Sequence, residues 1–272
     1  MRKQLFKGFC AALLLAFVIF VVCQLHGARE PTYQEKPLSF WVSQQQRSWL
    51  RSDSPSRLEA DRAIRSIGTN ALPFLLKWTA AKDAPLKKKL MALAKKQSLI
   101  KVRFHSAEEY HVKADAGFAA LGALAKSAVS ALIELLNQSD TMVRVAAEYD
   151  LMWIGPEAQD AVPVLVRCLN DSNSMVRFRA TRCLRDIHMN PELAVPALIR
   201  SLGQPGVPVR ETINALTRFG ESAKPAVPRL VSLLESGDPG TRLAASHALE
   251  VIDPAAWPKA SFDYQNLLQG AH

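Results

Sequence analysis

The chain has 272 residues, of which 49% are apolar, only 7% are aromatic and four are cysteine. That apolar share is ordinary for a folded chain and excludes a disordered one, and so few cysteines cannot frame a disulfide scaffold. The formal charge of +9 lies wholly within the first 115 residues, while 116–272 is slightly acidic, so a basic surface is not a property of the whole fold.

Residues 1–28 read as a targeting or anchoring segment. Arg2, Lys3 and Lys7 precede an uncharged run from Gly8 to Leu25, long for the core of a cleavable signal and just long enough to span a membrane. No small-x-small cleavage site follows, because His26 stands two places before Ala28; Cys23 follows Val21-Val22, which does not suit lipidation. An uncleaved anchor is therefore expected, with secretion after cleavage as the alternative. The leading positive charges put the N-terminus in the cytoplasm and the rest of the chain outside it.

A polar linker over 29–38 leads to Ser39, the expected N-cap of a helix carrying Trp41 and ending near Trp49-Leu50. The cluster Ser52-Asp53-Ser54-Pro55-Ser56 breaks it, and a second helix follows from about Arg57 to Ile67. The two tryptophans are expected to cover the end of a stack. Between Lys82 and Arg103, eight basic residues face Asp83 alone, while Leu86, Leu90, Leu93 and Ala94 keep one apolar helical face. Such a basic amphipathic helix fits a solvated outer face, a bed of anionic headgroups beside the anchor, or a phosphate backbone. Placement outside the cytoplasm speaks against the last.

From Ser139 onward the chain repeats itself. Arg144, Arg177, Arg210 and Arg242 fall in one column at steps of 33, 33 and 32 residues, and Val129, Val162, Val195 and Val227 fall in another. A period of this length marks a stacked-repeat protein. Each copy reads as two helices. Val162, Leu165, Val166 and Leu169 sit at i, i+3, i+4 and i+7 of the second, and Val143, Ala147, Leu151 and Ile154 mark the first. Gly122, Gly155 and Gly220 stand where a left-handed cap would end helix one, with His188 in that place in one copy. Pro163, Pro196 and Pro228 then enter in the first turn of helix two. A fifth copy begins at Ser236, and Trp257, Pro258, Phe262 and Tyr264 are expected to cap it.

The pattern Asp140, Val143, Arg144, Ala147, Leu151, Ile154, Gly155, followed by Ala161, Val162, Pro163 and Leu165, resembles HEAT repeats of the short bacterial type. A degenerate copy over 116–138 and the segment Ala63 to Pro73 resemble it more distantly. With the anchor and the lysine-rich insertion, the whole is similar to uncharacterised bacterial membrane-anchored HEAT-repeat proteins. The resemblance implies an all-α, right-handed α-solenoid of helical hairpins behind an N-terminal anchor. It divides the chain into 1–28, a linker over 29–38, an N-terminal cap with a degenerate repeat over 39–112, the array over 113–257 and a tail over 258–272.

In such arrays acidic–arginine pairs tie consecutive repeats together. Asp140 precedes Arg144 by four residues and Asp238 precedes Arg242 by four, which allows same-face pairs; with Arg177 and Arg210 these residues are assigned to the scaffold. The resemblance also implies that second helices line the concave side. With the valine–leucine face inward, the outward positions there are Val164 and Arg167, Ala197 and Arg200, and Arg229, offered as a site for an acidic protein segment.

No cofactor or metal is called for. Cys10 and Cys23 lie in the apolar run, where they act as small apolar residues, and Cys168 and Cys183 fall at different helix heights, about 10 Å apart, so these two are expected as free thiols. The six histidines share no ligand spacing; the nearest grouping is His105, Glu108, Glu109 and His111. Some HEAT-like proteins are bilin lyases or DNA glycosylases, but successive helical residues diverge by about 100°, and Trp153 and Asp150, neighbours in sequence, are not expected to converge on one site. The expectation is a non-enzymatic, membrane-tethered scaffold for an unidentified protein, with a lyase-like or ligand-binding relative as the alternative.

Overall fold

The computed structural model describes residues 29–47, 54–96, 105–204 and 206–255. The expected anchor, Trp49 and the aromatic tail after residue 255 lie outside them. After a two-residue antiparallel ribbon, β1 (Thr32–Tyr33) with β2 (Lys36–Pro37), everything regular is helical. Helix α1 spans Leu38–Arg47, α2 Pro55–Ile67, α3 Leu72–Thr79 and α4 Pro85–Lys96. The regular hairpins then pair α5 (Ala107–Leu121) with α6 (Val129–Leu136), and α7 (Thr141–Ile154) with α8 (Val162–Cys168). They continue with α9 (Ser174–Ile187) and α10 (Pro191–Ser201), then α11 (Val209–Arg218) and α12 (Val227–Leu233), and close on α13 (Pro239–Ile252). First helices stack on first helices, α5 on α7 through to α13, and second helices fill the layer beside them. This is an all-α solenoid.

The turns explain why the copies look alike. Asp140, Asn173 and Asp238 each accept two backbone N–H bonds in the first turn of α7, α9 and α13. Gly155 ends α7 at φ 69°, ψ −141°, and Gly122 ends α5 at φ 53°, ψ −131°; Gly220, one residue past the cap Phe219 of α11, also has a positive φ of 54°. This is not the left-handed helical cap expected from the sequence. It is the mirror of the extended region, open in practice to glycine alone, and it turns the chain into a 3₁₀ segment such as Gly155–Ala161. Where His188 replaces glycine the route changes. His188 takes a true left-handed helical conformation, Asn190 a second one, and Pro191 opens the next helix directly. Helix α10 is therefore longer than its equivalents, and Pro196, expected in a first turn, lies inside it.

One apolar core runs unbroken from Leu38 to Ile252. Val162, Leu165 and Leu169 are buried as expected, and Val166 is half-buried. At the N-terminal end Trp41 is fully buried, its Nε1 donating to the Tyr33 carbonyl at 3.1 Å. Ser39 does not cap α1: its N–H donates to the Glu30 carboxylate at 2.8 Å, so the acid from the linker takes that role. The array also begins earlier than residue 113, which falls inside α5. Ala107–Leu136 is apolar and long enough to cross a membrane, but it comprises α5, a 3₁₀ segment and α6, and half of its most apolar window is buried in the stack.

Candidate protein-binding face

The second-helix row expected to meet a partner is only partly outward. Arg167, Arg200 and Arg229 are exposed, but Val164 and Ala197 are buried at 8% and 6% exposure. The reason is the next hairpin: helices of seven to eleven residues leave one narrow strip free, and packing against neighbours on both sides covers the positions adjacent to it. Arg167 and Arg229 also turn back onto the preceding repeat, donating to Asn137 Oδ1 at 3.5 Å and to the Leu202 carbonyl at 3.3 Å.

The arginine column takes a different geometry from the expected i, i+4 pairs. Asp140 and Asp238 are occupied as helix caps. Arg144 instead donates through Nη1 to the carbonyls of Gln138 and Ser139, both at 3.0 Å, and through Nη2 to Asp171 in the next repeat at 3.2 Å. Arg177 repeats this with the carbonyls of Asp171, at 2.8 Å, and Ser172, then reaches the Gly206 carbonyl one repeat on. Gly206 stands at φ 70°, a conformation that glycine adopts without strain. Arg210 approaches Asp238 at 4.0 Å, and Arg242 donates to the Ser236 carbonyl at 2.7 Å. Arg144, Arg177 and Arg242 thus pin their own loops, and Arg144, Arg177 and Arg210 reach the following repeat.

The grooves lie on the other layer, along the first helices. A groove of about 440 Å³ between α5, α7 and α9 is walled by Val112, Met142, Val145, Tyr149, Met152 and Trp153, with Arg182 at its edge. Beyond Arg179 a second groove, about 510 Å³, is lined by Met175, Phe178 and Val207. Phe178 also borders a third, about 830 Å³, between α9, α11 and α13, with Arg210, Leu243 and His247. Met142, Met175 and Leu243 are 54%, 49% and 67% exposed. The sequence carried a signal for this face. Helix α7 is apolar on nearly every side, and such a helix is either wholly buried or has a second face to offer.

Behind this face lie buried acids that the repeat pattern does not account for. Glu148 is fully buried with both carboxylate oxygens unpaired, and burial, helped by the Asp171 charge, pushes its pKa up to about 9. Asp150 points inward, away from Trp153. Its Oδ2 lies 2.6 Å from Thr79 Oγ1, which also lies 3.0 Å from the Leu75 carbonyl. One hydroxyl proton cannot serve both contacts, so the pair closes when Asp150 is the neutral acid; burial indeed holds its pKa well above the usual range. Trp153 Nε1 donates to Asp115 at 2.5 Å. Cys168 and Cys183 are buried free thiols, the first pushed up to about 12 by burial, and Cys183 Sγ donates to the Glu148 carbonyl.

His105 meets Glu109 at 2.7 Å, while His111 bonds the Ala81 carbonyl at 2.9 Å, so these histidines do not converge. Among the described residues no group of three or more histidine, cysteine, aspartate or glutamate side chains is placed to hold a metal.

Comparison with known proteins agrees with this architecture. Residues 129–217 match the family model described as HEAT repeats. A search of curated proteins finds no match. Similar solved structures include an engineered protein from the Northeast Structural Genomics Consortium, 24% identical, covering 81% of this chain and 98% of its own, at a TM-score of 0.44. A second engineered protein from that consortium is 23% identical over 84% of this chain and 61% of its own, at 0.43. A designed armadillo repeat protein is 20% identical over 79% of this chain and 100% of its own, at 0.41. The repeated hairpins, the arginine column and the family match coincide over 129–217, and that stretch is similar to HEAT repeats.

Proposed function

We propose that the chain is a non-enzymatic scaffold that binds a protein partner, held at the outer side of the cytoplasmic membrane by residues 1–28. The observation that carries the binding part is the run of grooves along the first helices, where Met142, Met175 and Leu243 stand exposed beside one another's hairpins. Large apolar side chains gathered on one face of a soluble array mark an interaction surface. Methionine suits it, because a flexible thioether adapts to a partner's shape.

A photo-crosslinking residue placed at Met175 in cells should capture a defined protein, while the same residue at exposed Gln159 should not. A co-purifying small ligand, with no protein captured from either position, would overturn the scaffold reading. The tether is supported by Arg2, Lys3 and Lys7 ahead of an uncharged run. A reporter active only outside the cytoplasm, fused after His272, should be active, and activity of a cytoplasm-only reporter would remove the anchor from the proposal.

A further inference from the structure

Two half-buried arginines on α9, Arg179 and Arg182, differ from the arginines of the repeated column. Arg144, Arg177 and Arg242 spend their guanidinium groups on loop carbonyls, and Arg185 pairs with Asp186 and Glu211. Arg179 and Arg182 form no ion pair with a carboxylate among the described residues. Arg179 is stacked with its guanidinium carbon 3.8 Å from the Tyr149 ring centroid, and Phe178 lies 5.3 Å away on its own helix. Its Nε and Nη1 are closed off from solvent without an acceptor, as is Nε of Arg182, so each group presents only its remaining N–H edge outward. Stacking on an aromatic fixes the plane of the fork before any ligand arrives. The buried acid beside them offers little charge: Glu148 is held protonated by burial, while Asp115, which accepts from Trp153, faces Arg179 without an ion pair.

The surroundings narrow the ligand further. Arg182 edges the groove between α5, α7 and α9, and Arg179 edges the next one toward α11. Both grooves are walled by methionine and aromatic side chains, so the positive groups stand on a ridge between two apolar troughs. At the α5 end the first groove carries Glu108 and Asp115 instead. A uniformly anionic polymer would meet repulsion there, whereas a short segment with its acids at one end would not.

We propose that Arg179 and Arg182 seat the carboxylates of an acidic, amphipathic peptide segment of a partner protein, whose apolar side chains enter the flanking grooves. This rests on the scaffold reading and specifies the chemistry of its partner. It also places the site on the first helices rather than on the Arg167, Arg200 and Arg229 row. Half-buried guanidinium groups gain more from a carboxylate than exposed ones do, since part of their hydration has already been lost.

A random peptide library displayed on phage, selected against the full-length chain in detergent, tests this directly. Enriched peptides should carry aspartate or glutamate next to leucine, phenylalanine or methionine. Their affinity should fall about tenfold or more for the Arg179→Ala/Arg182→Ala variant and stay within about threefold for Arg167→Ala/Arg200→Ala/Arg229→Ala. Because loss of the Tyr149 stack could disturb folding, Arg182→Glu supplies a second reading: with unchanged circular dichroism it should enrich lysine or arginine at the acidic position. Enrichment of peptides without acids would overturn the proposal, as would loss of binding only in the second-helix variant. Equal binding of an oligonucleotide or of phosphatidylglycerol vesicles would show a general anion surface and also overturn it. If Met175 still captures a partner in cells while selection yields no acidic motif, the scaffold reading stands and this inference alone fails.

Discussion

A carboxylic acid with no partner in an apolar stack is stable there only as the neutral form. Glu148 is in that position, and the sign of its effect follows from its raised pKa. The folded chain keeps a proton that the unfolded chain releases above about pH 4.5, so the contribution to stability is intact below that value and declines until about pH 9. At pH 7 the penalty is on the order of 3 kcal/mol. Asp150, raised in the same direction by burial, adds to the slope. Melting temperature should therefore fall as pH rises from 5 toward 9, and Glu148→Gln should flatten the fall and be the more stable protein at pH 8. Parallel melting profiles for the two proteins would mean that Glu148 finds a charged partner or water in solution.

Three hairpin junctions are fastened by the same element, an arginine near the start of a first helix, but the fastenings differ in depth. The Arg144–Asp171 pair is largely buried, with side chains 14% and 18% exposed, and it is backed by two carbonyls. Arg210 and Asp238 are 67% and 55% exposed and only 4.0 Å apart. Surface pairs of that kind contribute little, whereas a hydrogen-bonded charge held at a loop is harder to lose. Arg144→Ala should cost about 2 kcal/mol in urea unfolding, and Arg210→Ala should leave the midpoint nearly unchanged. Equal effects would show that the column acts through something other than burial and hydrogen bonding.

Over the whole molecule the core is one object, because no hairpin can close its own apolar face. Leu165 is fully buried between neighbouring hairpins. A charge placed there by Leu165→Asp should cost on the order of 3 kcal/mol or more. The damage should spread along the stack, since each repeat owes its stability to the adjacent ones. Hydrogen exchange should show protection lost well beyond 139–170. Loss confined to that hairpin would mean the copies fold independently.

Much of this architecture is legible in the residues themselves. A 3.6-residue apolar period, glycine before most second helices and a step of 32 or 33 residues are local properties, so the hairpins and their order could be read without a structure. Even the capping residues Asp140 and Asn173 act within their own turn. What the sequence could not decide is where a side chain goes once a neighbour arrives. Val164 looked outward on an isolated helix and is covered by packing in the array. Arg144 had Asp140 four residues away and takes Asp171 across the interface instead, because the aspartate is already committed to the helix cap. Arg179 was one arginine among many until Tyr149, thirty residues earlier, came beneath it. The period of a helix is set by its own backbone, but the free surface of a stack is whatever its neighbours leave uncovered, and only the tertiary structure decides that.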